Sequence, residues 1–219
     1  KSSDGTLELA RLTSNNFIKI ISSSTNKGYS KSINKGVLNA RFQNILILNP
    51  DITMKANSIK VLLNTLLNNS DIGAVGPKLI NNNGSFQLSS RRHFPTLSIL
   101  LVHALRLNKV FPESKFFGRY NYTFIDNSKF LEVDSISGSC MMFKKEIFNL
   151  AGGFDEIFFM YFEDSYLCQI AKRKKKSVIQ VFDVKVKHIH GKSKVKNIFK
   201  RTFIRHYHFT FDQLYYYYK

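Results

Sequence analysis

Between residues 17 and 80, short apolar runs alternate with stretches of helical period, and this rhythm constrains the fold more than any other feature of the chain. FIKIIS (17–22) reads as a buried strand, and Tyr29 to Arg41 carries Ile33, Val37 and Ala40 at helical spacing. NILILN (44–49) is a strongly apolar strand closed by Asn-Pro. Ala56 to Leu67 repeats the helical pattern through Ile59, Leu62, Leu63 and Leu66, and IGAVGPKLI (72–80) is the next strand. Strands alternating with helices predict a parallel sheet in a layered α/β fold. A short helix in TLELARL precedes them, and the Asn81–Asn83 run with Gly84 predicts a hairpin turn.

The second half leaves this rhythm. An aromatic stretch from Phe111 to Phe130 leads into VDSISGSCMMF (133–143), read as one strand with small residues at its centre. Glu163 to Lys176 has the spacing of a helix, Val178 to His190 returns as a strand, and the basic, aromatic tail from Lys194 reads as helical. A nucleotide-binding half followed by an acceptor half is the organisation this order suggests.

The 219 residues, 43% hydrophobic, suffice for one sizeable core. No run of about 18 apolar residues occurs, and Leu97 to Leu107 is interrupted by Ser98 and His103, so no transmembrane helix is expected. The opening KSSDGTLELA lacks both an initiator Met and the apolar core of a signal peptide, which favours a fragment. Cys140 and Cys168 lack metal-ligand spacing and read as buried thiols, in keeping with a reducing, cytoplasmic setting. A net charge of +18 implies attraction to something anionic, whether nucleic acid, lipid headgroups or phosphorylated substrates, and does not choose among them.

Four clusters carry candidate chemistry, each beside a plainer reading. Asp51, in Asn49-Pro50-Asp51 after ILIL, stands where ligand-binding groups gather in open α/β sheets and can hold a divalent metal; it can equally turn the chain or cap the next helix. Glu163-Asp164 open a helix that closes on Lys172 to Lys176, which suits the helix macrodipole. They also follow GGFDEIFFMYF, whose aromatic wall would desolvate a carboxylate and raise its pKa toward that of a general base. His188 and His190, at a strand end, are a late metal ligand or structural imidazoles. Arg91-Arg92 form a fork for a diphosphate or acidic acceptor, or a solvated loop pair.

The order of these elements resembles that of family 2 glycosyltransferases of the GT-A fold, particularly the rhamnosyltransferase-like branch. The resemblance runs through SSDGT (2–6), NKGYSKSINKG (26–36), LILNPD (46–51), GAVGPKL (73–79), QLSSRRHFPT (87–96), SGSCMMFKKEIF (137–148), GGFDEIFFMYFEDSYLC (152–168) and VKHIHGKS (186–193). It implies a GT-A domain over 1–195, with a mainly parallel central sheet flanked by helices, and a basic aromatic helical segment over 196–219. The family's first strand, and the Asp that commonly reads the base, are expected ahead of Lys1, so the chain is read as cut at both ends.

The resemblance also implies roles. Asp164 is the general base and Glu163 its partner. Asp51 and His188 bind a divalent metal, Mg2+ or Mn2+, with Asn49 in place of the usual first Asp. Ser3, Asp4, Asn26, Gly28, Asn34, Asn49, Asp51 and Arg91 fall on the donor side, and Arg92, Gly138, Ser139 and Phe162 on the acceptor side. The implied reaction is inverting transfer of a sugar, L-rhamnose from dTDP-rhamnose being favoured, from a nucleotide diphosphate to an acceptor hydroxyl in cell-surface polysaccharide assembly. The partners implied are a nucleotide-sugar and a saccharide or lipid-linked acceptor, with no nucleic acid; the tail's own mix of cations and aromatics suits peripheral contact with the anionic inner face of the cell membrane, or equally a plain amphipathic helix packed on the core. Competing readings are a non-catalytic binder driven by charge, whose affinity would fall steeply with salt, and a GT-A-like nucleotidyltransferase, which should show a Gly-rich basic phosphate loop.

Overall fold

A computed structural model describes residues 5–125 and 130–189. Seven helices are described: α1 Thr6–Leu12, α2 Tyr29–Leu38, α3 Ala56–Leu67, α4 Leu97–Ala104, α5 Leu107–Val110, α6 Lys145–Leu150 and α7 Glu163–Arg173. Eight strands accompany them: β1 Asn44–Leu48, β2 Ile52–Thr53, β3 Ile72–Ile80, β4 Arg91–Arg92, β5 Phe130–Glu132, β6 Ser135–Ile136, β7 Cys140–Lys144 and β8 Ser177–His188.

The main sheet has the order β1-β7-β3-β8-β2, with β5 also paired to β8. The long strands β1, β3 and β8 run the same way; β3 and β8 pair parallel, while β7 is inserted antiparallel between β1 and β3. The parallel sheet expected from the first eighty residues is therefore interrupted by a strand from the second half.

Alternation along β1 sends Ile45 and Ile47 into one core and Leu46 toward the other. The first core joins Met141, Phe143 and Val178 of the sheet to Val37 of α2, Ile147 and Phe148 of α6, and Leu167 and Ala171 of α7. The second sets Val75, Met142 and Val181 against Leu62 and Leu66 of α3, which stand four residues apart on one helix face and are fully buried. Truncating either leucine to Ala costs about 2–5 kcal/mol. With both faces covered, β3 is buried along most of its length, which explains its unbroken apolar sequence.

Two local expectations fail. FIKIIS forms no strand, and Phe17 is 89% exposed, because an apolar run becomes a strand only where a neighbour accepts its backbone bonds and side chains. VDSISGSCMMF is not one strand: β6 pairs with β4 in a small separate sheet and β7 with β1 and β3, and Ser137-Gly138-Ser139 bridges the two. The Asn81–Gly84 turn forms as expected, with Gly84 N–H donating to Asn81 O at 3.0 Å and Gly84 at φ 80°. Both cysteines are free and buried. No helix among the described residues is long and apolar enough to cross a membrane.

Candidate active site

Three chain segments meet at the carboxyl end of β1. Asn49 N–H donates to Ser139 O at 2.9 Å, which ties the Asn-Pro-Asp turn to the small-residue bridge before β7. The next residues form β2, which pairs antiparallel with the end of β8 in a register that sets Ile52 opposite His188. Ile189 N–H donates to Asp51 O at 2.9 Å, fixing the turn against the strand end. Asp51 and His188, 137 positions apart in sequence, are thereby neighbours.

Asp51 Oδ1 lies 3.3 Å from His188 Nε2. The oxygen is buried and accepts no hydrogen bond. His188 Nδ1 is 3.0 Å from Gln87 Oε1, an oxygen that only accepts, so Nδ1 carries a proton and Nε2 is the ring atom that faces Asp51. Gln87 is in turn held by its Nε2 donating to Ser89 Oγ at 3.0 Å. A carboxylate oxygen without a donor facing an imidazole nitrogen whose tautomer is fixed from behind is a donor set that fits a divalent cation. No cluster of three or more His, Cys, Asp or Glu occurs among the described residues, so a cation here would take its other ligands from water or substrate oxygens.

The acidic pair is built differently. Tyr161 and Phe162 both have left-handed backbone, φ 84° and 65°, each costing about 1–3 kcal/mol, and this strained turn swings the start of α7 inward. Glu163 and Asp164 are only 4% and 5% exposed, which a solvated helix cap would not be. Phe162 directly precedes Glu163, and it packs with Phe158, Phe94, Tyr161 and Tyr166 in one aromatic cluster. Asp164 Oδ2 accepts from Arg92 Nη2 at 2.6 Å and from Gly138 N–H at 2.8 Å, while Oδ1 accepts from Ser165 N–H at 2.7 Å. Burial alone would lower the Arg92 pKa, but Asp164 outweighs it and the guanidinium is held above its ordinary value.

Gly138 joins the two halves. Its N–H holds Asp164, and its carbonyl accepts from Tyr29 Oη at 2.7 Å; the same hydroxyl is 3.2 Å from Asn49 Oδ1. A Cβ at position 138 would stand 3.1 Å from Asp164 Cβ, so Gly allows this close approach. Tyr29 stacks on Phe154, and burial first, then Glu163 and Asp164, pushes its pKa far up, so the phenol remains a donor. Neither Tyr29 nor Gln87 stands out in the sequence as a site residue; the only signal is that each lies inside a motif already singled out.

The remaining expected residues divide. Gly28, at φ 87°, opens α2 where its own Cβ would meet Phe159 at 2.9 Å, and Asn26 Oδ1 accepts from Gly28 N–H at 3.1 Å, so this turn packs on the segment leading to Glu163. Asn34 is taken up by Phe154, accepting from its N–H at 2.8 Å and donating to its O at 2.9 Å. Arg91 is buried away from solvent, donating to Asn121 O, Tyr122 O and Gln180 Oε1 with its guanidinium over Phe86 and Phe182, and burial lowers its pKa to about 10. Phe162 is 2% exposed, inside the aromatic cluster. Ser139 hydrogen-bonds Ser137, with Oγ atoms 2.7 Å apart. Ser3, Asp4, His190 and the 196–219 segment lie outside the described residues.

The chain is 28% identical over 174 residues to the N-acetylglucosaminyl-diphospho-decaprenol L-rhamnosyltransferase of Mycobacterium tuberculosis, covering 74% of this chain and 55% of that protein. It is 30% identical over 172 residues to the low-salt glycan biosynthesis hexosyltransferase Agl10 of Haloferax volcanii, covering 76% and 50%. The chain thus spans about half the length of the curated relatives it matches. Its fold matches the crystal structure of GalNAc-T7 with UDP, GalNAc and Mn2+ at a TM-score of 0.58, with 14% identity over 85% of this chain and 35% of that one, which makes the fold GT-A. The family profile described as Glycosyl transferase family 2 matches residues 1–150, and the chain belongs to that family.

Proposed function

We propose that this chain carries the catalytic centre of an inverting glycosyltransferase that moves a hexose from a nucleoside diphosphate to an acceptor hydroxyl. The observation that carries the reading is the Gly138 bridge, which holds the Asp51–His188 pair and the buried Asp164 in one connected frame through Tyr29 and Asn49. An inverting displacement needs a diphosphate-binding site on one side of the anomeric carbon and a proton acceptor on the other.

Asp164 takes the proton of the acceptor hydroxyl as its oxygen attacks the anomeric carbon. The bond from that carbon to the diphosphate breaks, and the nucleoside diphosphate leaves with the electron pair. Arg92 and Gly138 N–H orient Asp164, and its burial keeps water from it. Asp51 Oδ1 and His188 Nε2 would hold Mg2+ or Mn2+, which when bound offsets the negative charge on the departing diphosphate. Gln87 keeps His188 in the tautomer such binding requires. Asn49, Gly28 and Asn26 belong to the donor side, Gly138, Ser139 and Arg92 to the acceptor side.

L-Rhamnose from dTDP-rhamnose is the favoured donor and a lipid-linked saccharide the favoured acceptor, in cell-surface polysaccharide assembly. The support is the rhamnosyltransferase relative, whose own name specifies a diphospho-decaprenol acceptor, together with QLSSRRHFPT. The free buried thiols suit a reducing compartment, with the acceptor reached at the inner face of the cell membrane.

The test is Asp164→Asn, assayed by release of nucleoside diphosphate across a panel of nucleotide sugars. Transfer should fall by at least about 100-fold, since a general base contributes about 10²–10⁴-fold, while donor affinity stays near that of the parent. Full activity in the variant removes Asp164 from the role of base.

A further inference from the structure

The excursion between β4 and Tyr120 carries a feature that the transfer reading does not use. His93 N–H donates to Tyr120 O at 2.7 Å, closing the excursion at its base, and Asn121 Nδ2 donates to Leu88 O at 2.9 Å. Within it α4 hides Ile99 and Val102 and stands its opposite stripe in solvent: Leu97, Leu101 and Leu105, at intervals of four, are 59%, 63% and 67% exposed. His103 anchors the helix from within, its ring edge-on to Tyr120 with centroids 4.9 Å apart. The chain continues through α5 into exposed Val110, Phe111 and Phe116, the two phenylalanines each packing on Phe117. Soluble surfaces scatter exposed apolar residues singly; a helical row of leucines followed by an aromatic cluster marks a docking surface.

The charge around it narrows the partner. Arg106, Lys109, Lys115 and Arg119 are exposed in the same excursion, against Glu113 as its single acid. Cations interleaved with leucine and phenylalanine are the composition of an element that lies in a membrane interface, with apolar side chains among the acyl chains and basic ones at anionic headgroups. The chain's own 190–219 segment, with seven Lys and Arg against one Asp, repels such a surface, as does a second copy of a chain of net charge +18.

We infer that the α4–α5 excursion is a membrane-docking surface whose partner is an anionic lipid bilayer. It leaves the small sheet directly after Arg92, whose guanidinium holds Asp164, so docking would bring the acceptor side of the site toward the bilayer. The inference stands whether or not transfer occurs, because its readout is binding.

Sedimentation of the full chain with vesicles of phosphatidylcholine containing phosphatidylglycerol, and with vesicles of phosphatidylcholine alone, tests it. The mixed vesicles should bind about tenfold more strongly, and raised salt should weaken the binding. Leu101→Asp with Leu105→Asp should reduce binding by about tenfold or more, and Arg106→Glu with Lys109→Glu should abolish the preference for the anionic lipid. Leu67→Asp, at an exposed leucine on α3, should bind as the parent does. Parental binding by the leucine variant overturns the inference, as does equal binding to both vesicles. Sedimentation velocity that shows a dimer dissociated by Leu101→Asp also overturns it, assigning the surface to a second copy. If the leucine variant loses its fold, the charge variant decides alone.

Discussion

Arg92 Nη2 stands 2.6 Å from Asp164 Oδ2, a pairing across 72 positions that is mostly shielded from solvent. The acid proposed as the base is thus never alone: a guanidinium and a backbone N–H hold one of its oxygens and a helix N–H holds the other. Such a carboxylate has one orientation, and orientation is what a base needs before strength.

Removing the guanidinium leaves Asp164 buried without its counter-charge. Arg92→Met should destabilise the fold by about 3–5 kcal/mol, the usual consequence of breaking one side of a buried pair. Denaturant unfolding measures this, and a midpoint unchanged from the parent would mean that water reaches the acid in place of arginine.

The Tyr29 hydroxyl serves two acceptors, Gly138 O and Asn49 Oδ1, on opposite sides of the site. Tyr29→Phe keeps the ring on Phe154 and deletes only this link. A loss of about 1–3 kcal/mol is expected for the two acceptors left without a partner. In a transfer assay kcat should fall while KM for the donor changes little, because the acid side is held through Gly138.

Gln87 reaches the proposed cation site only through His188. Gln87→Leu should weaken Mn2+ affinity by about 10–100-fold, the usual effect of losing the group behind a histidine ligand. Asp51→Ala should abolish Mn2+ binding. Calorimetric titration with Mn2+ reads both, and equal affinity in Gln87→Leu would show that the tautomer is set elsewhere.

His103 has a buried Nε2 without a hydrogen-bond partner, and burial lowers its pKa from the ordinary 6.5. The folded state therefore binds this proton less readily than the unfolded chain. Stability from the neutral ring is complete above about pH 6.5 and is lost as pH falls through the lower folded value. Acidification should lower Tm more in the parent than in His103→Leu, and parallel pH curves would exclude His103 as the cause.

How much of this was legible before the fold depends on whether the cause is local. Helix α3 and strand β3 occupy the spans expected of them, because an apolar face at period 3.6 and a run buried on both sides leave their mark within ten residues. The strand expected at FIKIIS had the composition and no neighbour to pair with. SISGSC looked continuous because small residues do not reveal that the chain changes sheets between Ile136 and Cys140. Asp51, Asp164 and His188 are singled out by ordered motifs, whereas Tyr29, Gln87 and the Arg92–Asp164 pairing depend on hydrogen bonds spanning 20 to 109 positions, which no local pattern encodes.

Strand β1, which delivers Asn49 to the site, pairs with β7 on one side and with no described strand on the other. Its outward row of amide and carbonyl groups belongs to NILIL, a sequence with neither charge nor proline to discourage a visitor. Among the described residues this border is left for a further strand, which would lie beside the turn that carries Asn49 and Asp51. Pairing there would hold Asn49 and Asp51 from the side opposite β7, so the stiffness of that turn depends on what completes the sheet.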